Sequence, residues 1–100
     1  MPEPARAERN RMKHTLKTWP KSMHAMMEGR KRFEYRKDDR GFAVGDTLVL
    51  LGYDPDTKLF TGAALNRRVQ FIIHGGQFGI PAGYCIMDLV EVTPQEVLAD

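Results

Sequence analysis

Short apolar segments are the feature of this sequence that most constrains its fold. The longest, residues 47–51 and 69–73, are about five residues long, which suits β-strands and falls far below the roughly 20 residues that span a bilayer. Turn-forming glycine and proline residues separate these segments. A chain of 100 residues has room for one core, so we expect a single, mainly β domain without a membrane-spanning segment.

Period-two alternation and turn residues predict five or six strands. These strands cover residues 13–17, 32–36, 47–53, 59–61, 67–74 and 84–92. The run Asp54-Pro55-Asp56-Thr57 favours a tight turn, so the third and fourth strands should form a hairpin. No repeated alternation of strand and helix calls for a parallel sheet. A small mixed or antiparallel barrel would also remove exposed strand edges.

One helix is predicted over residues 19–28. Thr18 is the expected N-cap, Pro20 suits the first turn, and Gly29 ends the segment. Apolar residues recur at helical spacing and are expected to form core that faces the sheet. They are Trp19, Met23, Met26 and Met27.

The two ends of the chain differ from the middle. Residues 1–12 contain two prolines and little that can be buried, which predicts a flexible N-terminal extension before a domain at 13–100. The extension lacks the apolar stretch of a secretory signal, so we expect a cytoplasmic protein. At the other end, Thr93, Pro94 and Glu96 predict a capped C-terminal turn of helix.

Strong motifs for cofactors and metals are absent from the sequence. It has no phosphate loop, dinucleotide fingerprint, HExxH or GxSxG. His14, His24 and His74 are widely spaced with no carboxylate cluster nearby, so neither a metal nor a cofactor is predicted. Cys85 is the single cysteine, which excludes an internal disulfide, and its thiol is expected to fill the core.

Charge is distributed unevenly along the chain. Residues 1–40 hold twelve Lys or Arg against six Asp or Glu, whereas residues 41–100 hold three against seven. A basic front half predicts a face that attracts anions, and nucleic acid is the commonest partner of this kind. The alternative is that these are ordinary solvated charges on a helix and a tail.

The segment 29–40, GRKRFEYRKDDR, combines charges of both signs on one predicted strand. Alternation places Glu34 and Arg36 on one face with Arg32, and Lys31 lies at the entrance of the strand. An arginine can bind a phosphate or a base edge, and a glutamate can accept from an amine or fix the arginine. The alternative is that these charges pair with one another and have no role in binding.

This segment resembles the GxKxxExR signature of the ASCH domains, which belong to the PUA-like superfamily. The similarity continues through HTLKTWP, GRKRFEYRKDDRGFAVGDTLVL, YDPDT followed by TG, and FGIPAGYCIM. These motifs span roughly residues 13–90 and resemble one branch of small bacterial and phage proteins of unknown function. The resemblance implies an α+β, mainly β, PUA-like barrel of five or six strands, with one packed helix and a short C-terminal helical turn.

The resemblance also implies binding of RNA or a nucleotide in a basic cleft between barrel and helix. The expected nucleic-acid-binding residues are Lys17, Trp19, Lys31, Arg36, Lys37, Arg40 and Tyr53. In this hypothesis Lys31 and Arg36 neutralise phosphate, and Glu34 binds an amino group or orders the arginine. Trp19 or Tyr53 stacks on a base, although the core interpretation of Trp19 is the preferred one.

Two other classes of function stay open. Some ASCH proteins are hydrolases of acylated nucleosides that use a lysine and a threonine. Lys31 matches the lysine but Glu34 occupies the threonine position, so a different hydrolysis of modified nucleosides or RNA would need Glu34 as general base. A protein-interaction module is the third class, but we expect little apolar surface outside the core. A monomer is expected, and no protein partner is indicated.

Overall fold

The computed structural model describes residues 11–93 and residue 95. It contains five strands and one helix. In chain order they are β1 (Lys13–Thr18), α1 (Pro20–Met27), β2 (Phe33–Lys37), β3 (Thr47–Asp54), β4 (Leu59–His74) and β5 (Tyr84–Glu91). None of the helical structure in these described residues is long and apolar enough to cross a membrane.

The five strands form one strongly curled sheet, a half-barrel, in the order β1-β3-β4-β5-β2. β1 runs parallel to β3, and the other neighbouring pairs are antiparallel. β1 and β2 are therefore the two edge strands. The prediction of a small, mainly β, barrel-like domain with one helix is confirmed.

The predicted hairpin after Asp54 is confirmed, but its second strand is much longer than expected. Residues 59–61 and 67–74, predicted as two strands, belong to the single 16-residue strand β4, so the sheet has five strands. Of the intervening residues, 64–66 pair with β3 instead of forming a loop, and register shifts beside Gly52 and between Val69 and Phe71 let the strand bend. A Cβ at Gly52 would lie 2.2 Å from Oγ1 of Thr61, so any larger residue there would have to displace the Thr61 side chain.

Helix α1 is shorter than predicted and buries one side. Gly29 follows it with φ of +78°, as expected of a terminating glycine. The N-cap position is occupied by Trp19 without a side-chain capping bond, because Thr18 stays in β1 with its side chain turned inward. Met23 and Met26 are buried, and α1 packs against β3 and β4.

The prediction that Trp19 and Met27 belong to the core is wrong. Trp19 is 61% exposed and Met27 is also exposed. Trp19 precedes the helix, and a helix of only eight residues turns few side chains toward the sheet.

The core lies between α1 and the inner face of the half-barrel. Its buried apolar residues are Leu16, Met23, Met26, Phe42, Leu48, Leu50, Val69, Cys85, Met87 and Leu89. The prediction that Cys85 fills the core is confirmed.

A buried polar contact that the sequence analysis missed joins the start of β1 to the turn before β3. Oδ2 of Asp46 accepts from Nε2 of His14 at 2.9 Å and from the amide of Ala43 at 3.0 Å, and Oδ1 accepts from the amide of Met12 at 3.1 Å. Met12, placed at the end of the predicted extension, is therefore bound to the domain. Residues 1–10 of that extension, together with Pro94 and Glu96 of the predicted helical turn, lie outside the described residues.

An exposed apolar surface covers the outer face of strands β2, β5 and β4, which we call the aromatic sheet face. Phe33 and Phe71 both lie beside Asp88, and Tyr35 lies beside Ile86 in the next row. Phe33, Tyr35 and Phe71 are exposed. The expectation of little apolar surface outside the core is wrong, because alternation on β2 turns the charged side chains inward and the aromatic ones outward.

The packing of the core against β3 gives a direct test of the fold. Leu50 is fully buried, so Leu50→Ala should lower the free energy of unfolding by about 2–5 kcal/mol. The matched control Leu59→Ala removes an exposed leucine and should change it by less than about 0.5 kcal/mol. Urea denaturation measures both values, and equal losses would contradict the structure.

Candidate functional site

The inner face of β2 carries Glu34 and Arg36, two of the charged residues of segment 29–40. Glu34 lies beside Met87 and Arg36 beside Cys85, and both of these β5 neighbours are fully buried. The predicted alternation of charged and aromatic residues on this strand is confirmed. Because β2 is an edge strand, these charged side chains can reach the gap between the two edges of the half-barrel.

Glu34 is only 4% exposed and holds two cations. Its Oε2 accepts from Nε of Arg36 at 2.6 Å, and its Oε1 lies 3.9 Å from Nζ of Lys31. A buried carboxylate needs such compensation, because removing its partners would leave an isolated charge in a medium of low polarity. The three residues converge as the sequence analysis expected, but Glu34 is enclosed by its partners.

Two arginines, Arg36 on β2 and Arg40 three residues after its end, bind to the edge of β1, and we call this connection the seam. Nη2 of Arg36 donates to the carbonyl oxygen of Lys17, and Nη1 of Arg40 donates to that of Thr15 at 2.8 Å. Thr15 and Lys17 are alternate residues of β1, so their carbonyls point to the same edge. Arginine side chains thus bind edge carbonyls of β1 across the gap from β2.

An open cleft lies next to the seam, between β2, the end of β1 and the start of α1. Its volume is about 410 Å³, which is within the size range of small-ligand sites. Its walls are formed by Lys17, Thr18, Trp19, Ser22, Lys31, Glu34, Tyr35, Arg36, Lys37 and Tyr84. Four of these residues are cationic and one is a carboxylate, so the cleft attracts anions.

Aromatic and hydroxyl groups complete the walls of the cleft. Tyr35 belongs to the outward side of β2 and lines the rim of the cleft, where it stacks on Tyr84 with ring centroids 5.5 Å apart. The exposed Trp19 stands at the start of α1. Nζ of Lys31 donates to Oγ of Ser22 at 2.8 Å. Within the described part of the chain, Oγ1 of Thr18 is buried and has no hydrogen-bond partner, so a ligand group or water entering the cleft could satisfy it.

The structure places most, but not all, of the predicted site residues around this cleft. Lys17, Trp19, Lys31, Arg36 and Lys37 line it together with Glu34.

Arg40 and Tyr53 are not brought into the cleft. Arg40 belongs to the seam but does not line the cleft, and Tyr53 packs its ring against Phe60 of the hairpin at a centroid distance of 5.1 Å. Nζ of Lys17 lies 4.3 Å from the Tyr53 ring centroid, so the Lys17 ammonium is directed to this side.

Sequence reasoning missed four residues of the cleft: Thr18 and Ser22 as site residues, and Tyr35 and Tyr84 as its aromatic wall. Ser22 lies three residues after Trp19, a spacing that puts both on one side of the chain and could have indicated it. Tyr84 enters only through its pairing with Lys37 in the β2–β5 register, which no local pattern encodes.

Metal binding is not supported by the described residues, which contain no group of three His, Cys, Asp or Glu side chains suited to a metal ion.

The carboxylates near the cleft affect the pKa of the Cys85 thiol. Burial raises the pKa of Cys85 to about 11, and the charges of Asp38 and Glu34 add to this rise.

The raised pKa predicts an unreactive thiol in the folded protein. At pH 8 the fraction of Cys85 present as thiolate should be about a hundredfold lower than for an ordinary cysteine, because its pKa is raised. The thiolate is the form that reacts with alkylating agents. Iodoacetamide should therefore alkylate the folded protein at least about a hundredfold more slowly than the urea-unfolded protein. The chain has one cysteine, so mass spectrometry reports this residue alone. Equal rates in the two states would contradict the burial of Cys85.

These features define a class of small half-barrel domain with a basic cleft beside its open seam. A family model described as Domain of unknown function (DUF3850) matches residues 13–89, and the chain belongs to this family. It is also similar to a protein of Escherichia phage P2, "Uncharacterized 12.9 kDa protein in GpA 3'region", with 38% identity over 56 residues. That match covers 56% of this chain and 50% of the phage protein, so the chain spans about half the length of this relative.

Proposed function

We propose that the protein binds RNA or a nucleotide, in the cytoplasm, through the cleft. The observation that carries the proposal is the composition of the cleft walls, in which four cations and one carboxylate stand beside exposed aromatic rings. A ligand that fits such walls combines negative charge with a flat aromatic group. Nucleotides combine phosphate and base in this way.

Phosphate is bound by the cations of β2 and its entrance. Lys31 and Lys37 supply ammonium groups, and Arg36 supplies the donors left over after its bonds to Glu34 and Lys17. Glu34 keeps Lys31 and Arg36 on the cleft wall.

Base stacking is assigned to the aromatic residues. Trp19 offers an indole ring that is 61% exposed, and the stacked pair Tyr35 and Tyr84 forms another wall of the cleft. The resemblance of segment 29–40 to the ASCH signature supports the choice of the cleft as the binding site, because Lys31, Glu34 and Arg36 at its signature positions all line the cleft.

The proposal predicts a binding signal at Trp19, the single tryptophan of the chain. Titration with an octauridylate RNA should quench its fluorescence, and raising the salt concentration should weaken binding. Lys37→Ala leaves the contacts of Glu34 intact and should raise the dissociation constant about five- to twentyfold. The substitution should also reduce the slope of log binding constant against log salt concentration by about 0.7, the value for one lost phosphate contact to single-stranded nucleic acid.

Lys21 provides the matched control. It is an exposed lysine on α1 that does not line the cleft, so Lys21→Ala should bind like the parent protein. If Lys37→Ala and Lys21→Ala have the same effect, the charge acts non-specifically and the cleft is not the site. If the octauridylate leaves the parent's fluorescence unchanged at low salt, the proposal is wrong.

A hydrolase is the second candidate function, and the contact between Ser22 and Lys31 favours it. A hydroxyl held 2.8 Å from an amine, with a carboxylate near that amine, provides the groups of a Ser-Lys nucleophile. Ser22 Oγ would attack an acyl carbon as the Lys31 ammonium gives a proton to the leaving amine, and the hydroxyl proton of Ser22 would restore the ammonium. Water would then cleave the acyl ester. Glu34, enclosed by its cations, suits positioning better than activation of water.

The hydrolase candidate predicts release of acetate from N4-acetylcytidine or from acetylated RNA. Ser22→Ala should abolish turnover while leaving octauridylate binding within about twofold of the parent, since Ser22 carries no charge. Liquid chromatography of the nucleosides measures turnover. No release by the parent protein from either acetylated compound would reject this candidate and leave the binding proposal standing.

A further inference from the structure

A second depression lies across the seam from the cleft, and we call it the side hollow. Its volume is about 340 Å³. It is lined by Thr15, Leu16, Lys17, Arg36, Arg40, Leu51 and Phe60. Lys17 and Arg36 line both the cleft and the side hollow, so the two spaces are neighbours separated by the seam.

The side hollow has cationic side chains that could bind a further anionic group of a ligand held in the cleft. Arg40 is fixed at its rim by the bond from Nη1 to the carbonyl of Thr15, and a guanidinium has further donors for a phosphate. Lys17 and Arg36 add two more cations. The described residues that line this hollow include no carboxylate.

The side hollow also has a surface for stacking. Phe60 is 58% exposed, and the Tyr53 ring supports it edge-on. The ammonium of Lys17 lies over the Tyr53 ring. Arg40, a predicted nucleic-acid-binding residue that the cleft leaves out, lines this hollow, and Tyr53 lies behind its lining in contact with Phe60 and Lys17.

A third depression borders the opposite end of the cleft and suits a nucleic acid less well. It shares Lys31 with the cleft and is lined also by Arg32, Arg67 and Glu91. Glu91 lies 3.9 Å from Arg67 and offsets its charge, and none of the residues described around this depression is aromatic. A ligand longer than one nucleotide would therefore extend from the cleft into the side hollow, which contains Phe60.

We propose that the ligand is a single-stranded oligonucleotide, with one nucleotide in the cleft and the next in the side hollow, its phosphate bound at the seam. This inference rests on the proposed function and narrows the ligand from nucleotides in general to single strands of at least two nucleotides. A cation at the seam, Arg36, faces both spaces and is positioned for the phosphate that joins the two nucleotides.

Ligand length provides the test. Isothermal titration calorimetry would compare adenosine monophosphate with the adenylate dinucleotide and tetranucleotide. The dinucleotide should bind the parent protein about tenfold more tightly than the monophosphate, which corresponds to one stacked base. Phe60→Ala should reduce this gain to less than about twofold and leave the dissociation constant of the monophosphate unchanged.

Phe71→Ala is the matched control, since Phe71 is 59% exposed but lies on the aromatic sheet face. It should keep the full gain. If the monophosphate binds but the dinucleotide gains nothing, or if Phe71→Ala and not Phe60→Ala removes the gain, the path through the side hollow is wrong and the proposed function stands. If the parent protein binds none of the three ligands, the proposed function fails and this inference with it.

Discussion

The bonds from Arg36 and Arg40 to the carbonyls of β1 are the interaction on which the architecture depends. A curled sheet with two free edges would expose a row of unpaired backbone groups, which favours aggregation. Here arginine side chains take the place that a further strand would fill in a closed barrel. Glu34 fixes Arg36 through a charged hydrogen bond of 2.6 Å, so one buried carboxylate supports the seam.

The same arrangement creates the cleft. A side chain holds two edges farther apart than a backbone hydrogen bond would, because it adds its own length between the strands. The space left beside the seam is lined by the side chains that hold the edges and by the start of α1. The basic front half of the sequence thus has a structural explanation, since β1, α1 and β2 all fall within residues 1–40. In this account the charges that stabilise the half-barrel also form the ligand site.

Local patterns in the sequence were sufficient to predict the helix, most of the strands and the alternation on β2. They placed the hairpin at Asp54, ended the helix near Gly29 and identified Lys31, Glu34 and Arg36 as neighbours. Long-range register was not encoded locally. The length of β4 depends on pairing with β3 and β5 around two irregularities, and the approach of Tyr84 to the cleft depends on its pairing with Lys37. The other error concerned which apolar side chains are buried. Trp19 is apolar but precedes the helix, and the aromatic residues of β2 face outward because the carboxylate and arginine of that strand have partners inside.

The most direct test of the central claim is a map of amide chemical shifts by NMR as an oligonucleotide is added to the protein. The account predicts that the shifts cluster at the end of β1, the start of α1 and the inner residues of β2, with the indole N–H of Trp19 among them. It also predicts that they weaken together as salt is added. Shifts confined to Phe33, Phe71 and Asp88, the part of the aromatic sheet face that does not line the cleft, would contradict it. A protein whose spectrum does not change would also contradict it.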